Sequence, residues 1–212
     1  MPNKQKQPNP LDSQREAVVM AALPHVVFDG WSDISLQRAA TECGIDADLL
    51  PLLFPKGALD AIAFHSRWAD NAVTEALSKD KAFAKMPVPV KIRTGILKRF
   101  ELVADQKEAV RKSLSLLSMP LNAALSLKLL HETCDSLWQL AGDEATDFNW
   151  YTKRITLAGV YSSTLYYWLN DESKNSTNTA AFLDRRLNNV RVFGKWKAEC
   201  QGWFSKLGMK HA

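Results

Sequence analysis

GDEATDFNWYTKRITLAGVYSSTLYYWL, residues 142–169, is the stretch on which the fold turns. All four tyrosines of the chain (Tyr151, Tyr161, Tyr166, Tyr167) lie in it, together with Phe148, Trp150 and Trp168. On a helical wheel of about 100° per residue, one face gathers Phe148, Tyr151, Ile155, Ala158, Gly159, Ser162, Leu165, Tyr166 and Leu169. Nearly opposite runs a second stripe of Trp150, Leu157, Tyr161, Thr164 and Trp168. A helix that is apolar on two faces must be covered on two sides. One cover is the domain's own core. The other is a further helix, a second subunit or a ligand cavity, and a central helix of a single-chain bundle satisfies the pattern too. The small residues Ala158, Gly159, Ser162 and Ser163 allow close approach. Trp150 sits in the first turn, where a large aromatic is easily left half exposed, and Asp143, Asp147, Lys153 and Arg154 surround it in sequence. An exposed aromatic ringed by charge has the make-up of an interaction hot spot.

Working outward, nearly every segment reads as helix. Leu11–Phe28 is apolar at three- and four-residue spacing, followed by Ser35–Cys43, a short helix near Asp46–Phe54 and a long one over Gly57–Ser78. The Pro87/Pro89 region breaks the chain. Val90–Val103 and Gln106–Leu117 are amphipathic, Pro120 starts a helix running to Leu140, and Asp147 is suited to cap the quoted helix. The polar run NDESKNSTNT (170–179) is a loop, and a last helix starts near Thr179. No alternating strand pattern is present, so the fold class is all-α, a bundle of about nine to ten helices. The expected divisions are a disordered tail (1–10), a three-helix unit (11–56), a larger bundle with a ligand cavity (57–190) and an amphipathic C-terminal helix (191–212).

The totals fit this. At 212 residues and 46% hydrophobic, the chain can bury a substantial core. Three cysteines, odd in number and widely spaced, point to reduced thiols. No apolar run reaches the roughly 18–20 residues of a spanning helix, and the start MPNKQKQPNPLDSQRE reads as neither a secretion signal nor a transit peptide. Residues 191–212 hold five basic residues against one acidic, which is the whole net charge of +4.

No catalytic constellation emerges. The four histidines are scattered, and His131-x-x-Cys134 is half a metal site without a second pair. There is no Glu-x-x-His, no Gly-rich phosphate loop and no Gly-x-Ser-x-Gly elbow. The expectation is a protein that is not an enzyme, with no catalytic residue, metal or cofactor.

The opening pattern (helix, Asp-Gly-Trp, helix, Gly44-Ile45, short helix, then Phe54-Pro55-Lys56-Gly57 before a long helix) resembles the N-terminal domain of TetR-type regulators. Those proteins use it as a helix-turn-helix with the third helix in the major groove. Here residues 15–60 carry three basic and seven acidic side chains. The would-be reading helix, IDADLLPLLF, has two aspartates and no Arg, Lys, Asn or Gln. Phosphate neutralisation and base reading both lack their groups, so the unit is expected to be a scaffold that does not bind nucleic acid. A TetR-type ligand-responsive transcription regulator is the alternative function.

SLWQLAGDEATDFNWYTKRITLAGVYSSTL (136–165) closely resembles the most characteristic block of the Coq-nine family, accessory proteins of ubiquinone biosynthesis. The likeness extends more loosely from Gln14 to Val192, through GWSDISLQRAATECGI and MPLNAALSLKLLHETCDSLW. The resemblance implies a TetR-like fold, a homodimer, and a cavity for an isoprenoid lipid or quinone precursor. It also implies docking onto a hydroxylase of the pathway, either the di-iron enzyme or another monooxygenase. Carried across by position, the docking patch is Asp135, Leu137, Asn149, Trp150, Tyr151 and Arg154. Candidates for the lipid cavity, chosen as apolar residues on the central helices, are Leu97, Phe100, Leu117, Met119, Leu125, Leu129, Trp138 and Leu165. The missing targeting segment suggests a bacterial member working in the cytoplasm at the inner membrane.

In the tail, Val192, Phe193, Trp196, Cys200, Trp203, Phe204 and Leu207 form one stripe flanked by lysines. That is the composition of an interfacial membrane helix. Each buried large apolar side chain contributes roughly 1.5–3 kcal/mol and each basic residue near anionic lipid about 1 kcal/mol. Phe193, Trp196, Trp203, Phe204 and Leu207 are the expected membrane contacts, and folding back onto the bundle is the alternative.

Overall fold

The computed structural model describes residues 10–143 and 148–190, and every regular element among them is helical. Residues 1–9, the Asp147 cap and the whole of 191–212, with its proposed membrane contacts Phe193, Trp196, Trp203, Phe204 and Leu207, lie outside the described residues.

The first unit consists of α1 (Pro10–Asp29), α2 (Asp33–Glu42) and the four-residue α3 (Leu50–Leu53). Ser32 and Ser35 form a capping box at the start of α2, each side chain meeting the other's backbone N–H. Asp46 caps a short 3-10 turn, Ala47–Leu49, that leads into α3, and Pro51 falls in the first turn of α3, where no amide donor is needed. Gly57 then turns the chain into α4 (Ala58–Ser78) with φ of 54°. An added Cβ there would meet Asp33 Oδ1 at 2.8 Å, so both backbone and space require glycine.

The core of this unit does not stop at residue 56. Val18, Val19, Val26, Trp31, Leu36 and Phe54 pack in one cluster with Ile62 of α4, and Trp31 Nε1 donates to Ala109 O at 3.0 Å in α7 (Lys107–Leu117). The core of the three-helix unit therefore extends into α4, α7 and α8 of the bundle.

The bundle proper is built around α4, which packs on α1, on α6 (Val88–Leu102) and on α8 (Ala123–Leu140), while α9 (Phe148–Leu169) packs on α8 and α6. A helix over 177–190, α10, closes it. Gly95 of α6 lets Leu137 of α8 approach so closely that a Cβ would lie 2.7 Å from Leu137 Cδ2. The second core gathers Ile92, Ile96, Phe100, Leu157, Trp168 and Leu183.

The boundaries depart from the sequence reading at three places. Pro89 lies in the first turn of α6 rather than in a break, because proline's fixed φ suits that position. Pro120 starts a 3-10 turn, and α8 begins only at Ala123. A four-residue helix, α5 (Lys81–Ala84), follows an Asp80 cap and buries Phe83. No single described helix is long and apolar enough to cross a membrane.

Candidate functional site

A cavity of about 290 Å³ lies between α4, α6, α7, α8 and α9. Most of its wall is apolar, including Ile62, Val103, Leu114, Leu117, Leu129 and Leu165. Ser162 and Tyr166 on α9 line it and are exposed, so the cavity reaches the surface beside α9. The volume is near the lower limit for a small-molecule site, about 300 Å³.

Away from the mouth, the polar part of the wall is buried. Arg99 of α6 donates from Nε to Asp70 Oδ1 at 2.7 Å, and from Nη2 to Ser66 O at 3.2 Å and Ser66 Oγ at 3.1 Å. Thr133 donates to the second carboxylate oxygen of Asp70 at 2.9 Å. Burial opposes the charge of Arg99, but Tyr161 and Asp70 outweigh it and hold the guanidinium above its ordinary value. Burial pushes the Tyr161 phenol up to about 12, with Arg99 opposing. Burial likewise holds His65 below its ordinary value, against a raising bond to Gln106 at 2.6 Å, and Arg99 lowers it further. The wall thus contains one cation, Arg99, paired with Asp70 behind it, and otherwise neutral groups at neutral pH.

The two stripes of α9 have opposite fates. Leu157, Tyr161, Thr164 and Trp168 are buried, with Trp168 stacked on Phe100 at a centroid distance of 5.0 Å. On the other side Tyr151, Ile155 and Tyr166 are 61%, 73% and 72% exposed, with Gly159 and Ser162 exposed between them. Leu165 and Leu169, which the wheel groups with these residues, are turned inward, Leu165 onto the cavity wall.

At the start of α9, Trp150 is half-buried. Arg154 stacks under it, with Cζ 3.9 Å from the ring centroid, and His131 and Tyr151 flank it at 5.6 and 4.7 Å. Arg154 is itself held by Asp135 at 2.6 Å and Asp143 at 3.2 Å, and Lys153 pairs with Asp143. Four charges of balanced sign form a rigid base under one indole.

The residues of the expected docking patch separate accordingly. Trp150 and Tyr151 reach the surface and Asp135 is half-buried, while the Asn149 side chain lies outside the described residues. Leu137 is a core residue, 4% exposed, because α6 and α8 close over it at Gly95. Arg154 is also buried; it supports the patch from below and does not form its surface.

The expected cavity residues separate as well. Leu117, Leu129 and Leu165 line the cavity. Phe100 is solid core under Trp168, Leu97 packs against the same core, and Trp138 turns away to donate to Lys153 O at 3.3 Å. Leu125 packs on the N-terminal core, and Met119 is exposed. The sequence reading missed Arg99, Asp70, Thr133 and Tyr161 as a group. The available signal was that Asp70 and Arg99 each fall on the apolar face of an amphipathic helix, where a charge needs a partner.

Comparison with known proteins places this geometry. A family model described as COQ9 matches residues 123–194, a span containing all of α8 and α9 and the Trp150 patch. The chain is 28% identical over 183 residues to "Ubiquinone biosynthesis protein COQ9, mitochondrial" of Homo sapiens, covering 84% of this chain and 57% of that protein. It is 28% identical over 186 residues to COQ9-A of Xenopus laevis, with coverages of 85% and 58%. With the Drosophila melanogaster COQ9 it shares 27% over 183 residues, with coverages of 85% and 56%. The chain thus spans somewhat over half the length of these relatives. Among solved structures, a TetR transcriptional regulator from Nitrosomonas europaea ATCC 19718 superposes with a TM-score of 0.66 at 20% identity, covering 85% of this chain and 99% of that one. The all-α TetR-like fold and the resemblance to the Coq-nine family, both read from the sequence, are borne out.

Proposed function

We propose that this protein acts in ubiquinone biosynthesis as a non-enzymatic lipid-binding accessory factor. It takes up an isoprenoid quinone intermediate at the membrane and presents it to a partner hydroxylase. The supporting observation is the apolar cavity that opens at Ser162 and Tyr166, beside a helix face exposing Tyr151, Ile155 and Tyr166. A polyprenylated ring is nearly insoluble in water, so its transfer to a water-facing enzyme needs a carrier with an apolar hollow near a docking surface. The names of the relatives support the pathway.

The exposed stripe serves two contacts in this reading. Its central part around Ile155, with Gly159 permitting close helix approach, fits a two-fold partner copy and so a homodimer. Its N-terminal end, Trp150 and Tyr151 over the Arg154 base, fits the hydroxylase. In this reading residues 191–212 supply the membrane contact and hold the protein at a membrane surface. Exposed Met119 and Leu121 in the turn between α7 and α8 add a second apolar contact.

Tyr151→Lys is the cleaner docking test, because Tyr151 is mostly exposed whereas Trp150 is stacked on Arg154. Hydroxylase capture in a pull-down is expected to fall at least about tenfold, since interface aromatics of this kind are worth about 2 kcal/mol or more. Unchanged capture would misplace the patch.

The likeness to a TetR transcriptional regulator favours a second reading, ligand-responsive DNA binding. The outward residues of the short third helix and the 3-10 turn before it, Asp48, Leu49, Pro51 and Leu52, are all exposed and offer no cation to phosphate and no donor to base edges. A salt-dependent mobility shift on promoter DNA would support that reading.

A further inference from the structure

Among the described residues, Arg99 Nη1 and Tyr161 Oη in the cavity wall have no hydrogen-bond partner. Arg99 uses Nε on Asp70 and Nη2 on Ser66, which leaves Nη1. Tyr161 is 3% exposed, lines the cavity, and its Oη makes no hydrogen bond among the described residues. Among those residues, the only fully enclosed side-chain atom lacking a partner is Trp168 Nε1. Arg99 Nη1 and Tyr161 Oη therefore keep accessible surface, and the cavity is the space beside them. Both residues approach each other, with Arg99 Cζ 5.6 Å from the Tyr161 ring centroid. An unpartnered donor in a buried site is a standing cost that a ligand oxygen can remove.

Charge decides which oxygen. The Arg99 cation is already matched by Asp70, both nearly enclosed, and among the described residues no second cation lines the cavity. A carboxylate entering here would leave one uncompensated negative charge in an apolar interior, which is strongly unfavourable. A ring carbonyl or other neutral oxygen accepts the same two donors with no net charge.

We propose that Arg99 Nη1 and Tyr161 Oη form a neutral-oxygen anchor. It seats the head of a quinone-type lipid at the polar end of the cavity and, because Asp70 cancels Arg99, discriminates against fatty acids of similar tail length. The head lies near α6, and the tail passes Leu129 and Leu165 toward the mouth at Ser162 and Tyr166. This deepens, and rests on, the lipid-binding reading above.

Tyr161→Phe tests it without disturbing the fold, because the hydroxyl it removes bonds to nothing among the described residues. Calorimetric titration would compare three probes on the parent and the variant. They are a decyl-substituted dimethoxybenzoquinone, decylbenzene, which has the tail and ring but no oxygen, and tetradecanoate. The expected result is that the variant keeps the parent's melting temperature and its affinity for decylbenzene, but binds the quinone about five- to twentyfold more weakly. The parent should bind tetradecanoate at least about a hundredfold more weakly than the quinone. Equal quinone affinity in parent and variant, or tetradecanoate binding as tightly as the quinone, overturns the anchor while decylbenzene binding leaves the lipid-carrier reading intact. Failure of all three probes to bind overturns both.

Discussion

The two faces of α9 are made from the same kinds of residue, yet one is sealed and the other is open. Inward, Leu157, Tyr161, Thr164 and Trp168 are each at most 3% exposed. Outward, Tyr151, Ile155 and Tyr166 are each more than half exposed, with no wall of the described chain against them. Hydrophobic periodicity alone specifies that a face wants cover and is silent on whether the same chain supplies it. The difference lies in what packs alongside: α6 and α8 meet the inner face, and no described helix is left for the outer one.

The largest effect is expected from breaking the sealed face. Trp168→Ala removes a fully buried indole stacked on Phe100 and should cost about 3–5 kcal/mol, read as a loss of unfolding free energy in a denaturant titration. A loss below about 1 kcal/mol would mean that the site collapses around the smaller side chain.

A smaller loss is expected where the sealed face ends. Asp171 accepts from Ser173 N at 2.9 Å, Thr179 N at 2.8 Å and Thr179 Oγ1 at 2.6 Å, and so starts α10. Burial works against its charge, but the Thr179 and Ser173 bonds outweigh burial and bring the carboxyl to about 2 from its ordinary 3.8. Between those values the unfolded chain holds the proton and the folded chain does not, so stability rises with pH through that interval. The contribution is fully present above about 4 and is lost as the pH falls toward 2. Asp171→Asn should cost about 1–2 kcal/mol at neutral pH and flatten that acid limb, as followed by thermal melts across pH. An unchanged acid limb would move the effect to other carboxylates.

The open face should behave in the opposite way. Ile155→Asp is expected to shift the stability of the isolated chain by no more than about 0.5 kcal/mol, because the side chain is 73% exposed. In sedimentation it should convert a dimer to a monomer. A variant that stays dimeric would place the subunit contact elsewhere.

The all-α class and the main helices were legible in the sequence because apolar residues recur at helical spacing in each. The short α5 was not, since KAFA offers a single apolar anchor, Phe83, and its start depends on one Asp80 cap. The outer stripe was half legible: Tyr151, Ile155 and Tyr166 followed from the wheel, whereas Leu165 and Leu169 sit at its edge and were captured by the core. The docking patch inherited Leu137 from a resemblance of sequence, and only packing against Gly95 reveals that it is interior. The polar end of the cavity was hidden for a different reason. Asp70 and Arg99 are 29 residues apart and Thr133 a further helix away, so the sequence marks two charges on apolar helix faces but not that they meet.

The most direct test of the central claim, that the open side of this bundle is completed from outside the chain, is native mass spectrometry of the gently purified protein. The account predicts a dimer carrying a neutral isoprenoid lipid. A lipid-free monomer, found repeatedly under conditions that preserve weak complexes, would contradict it.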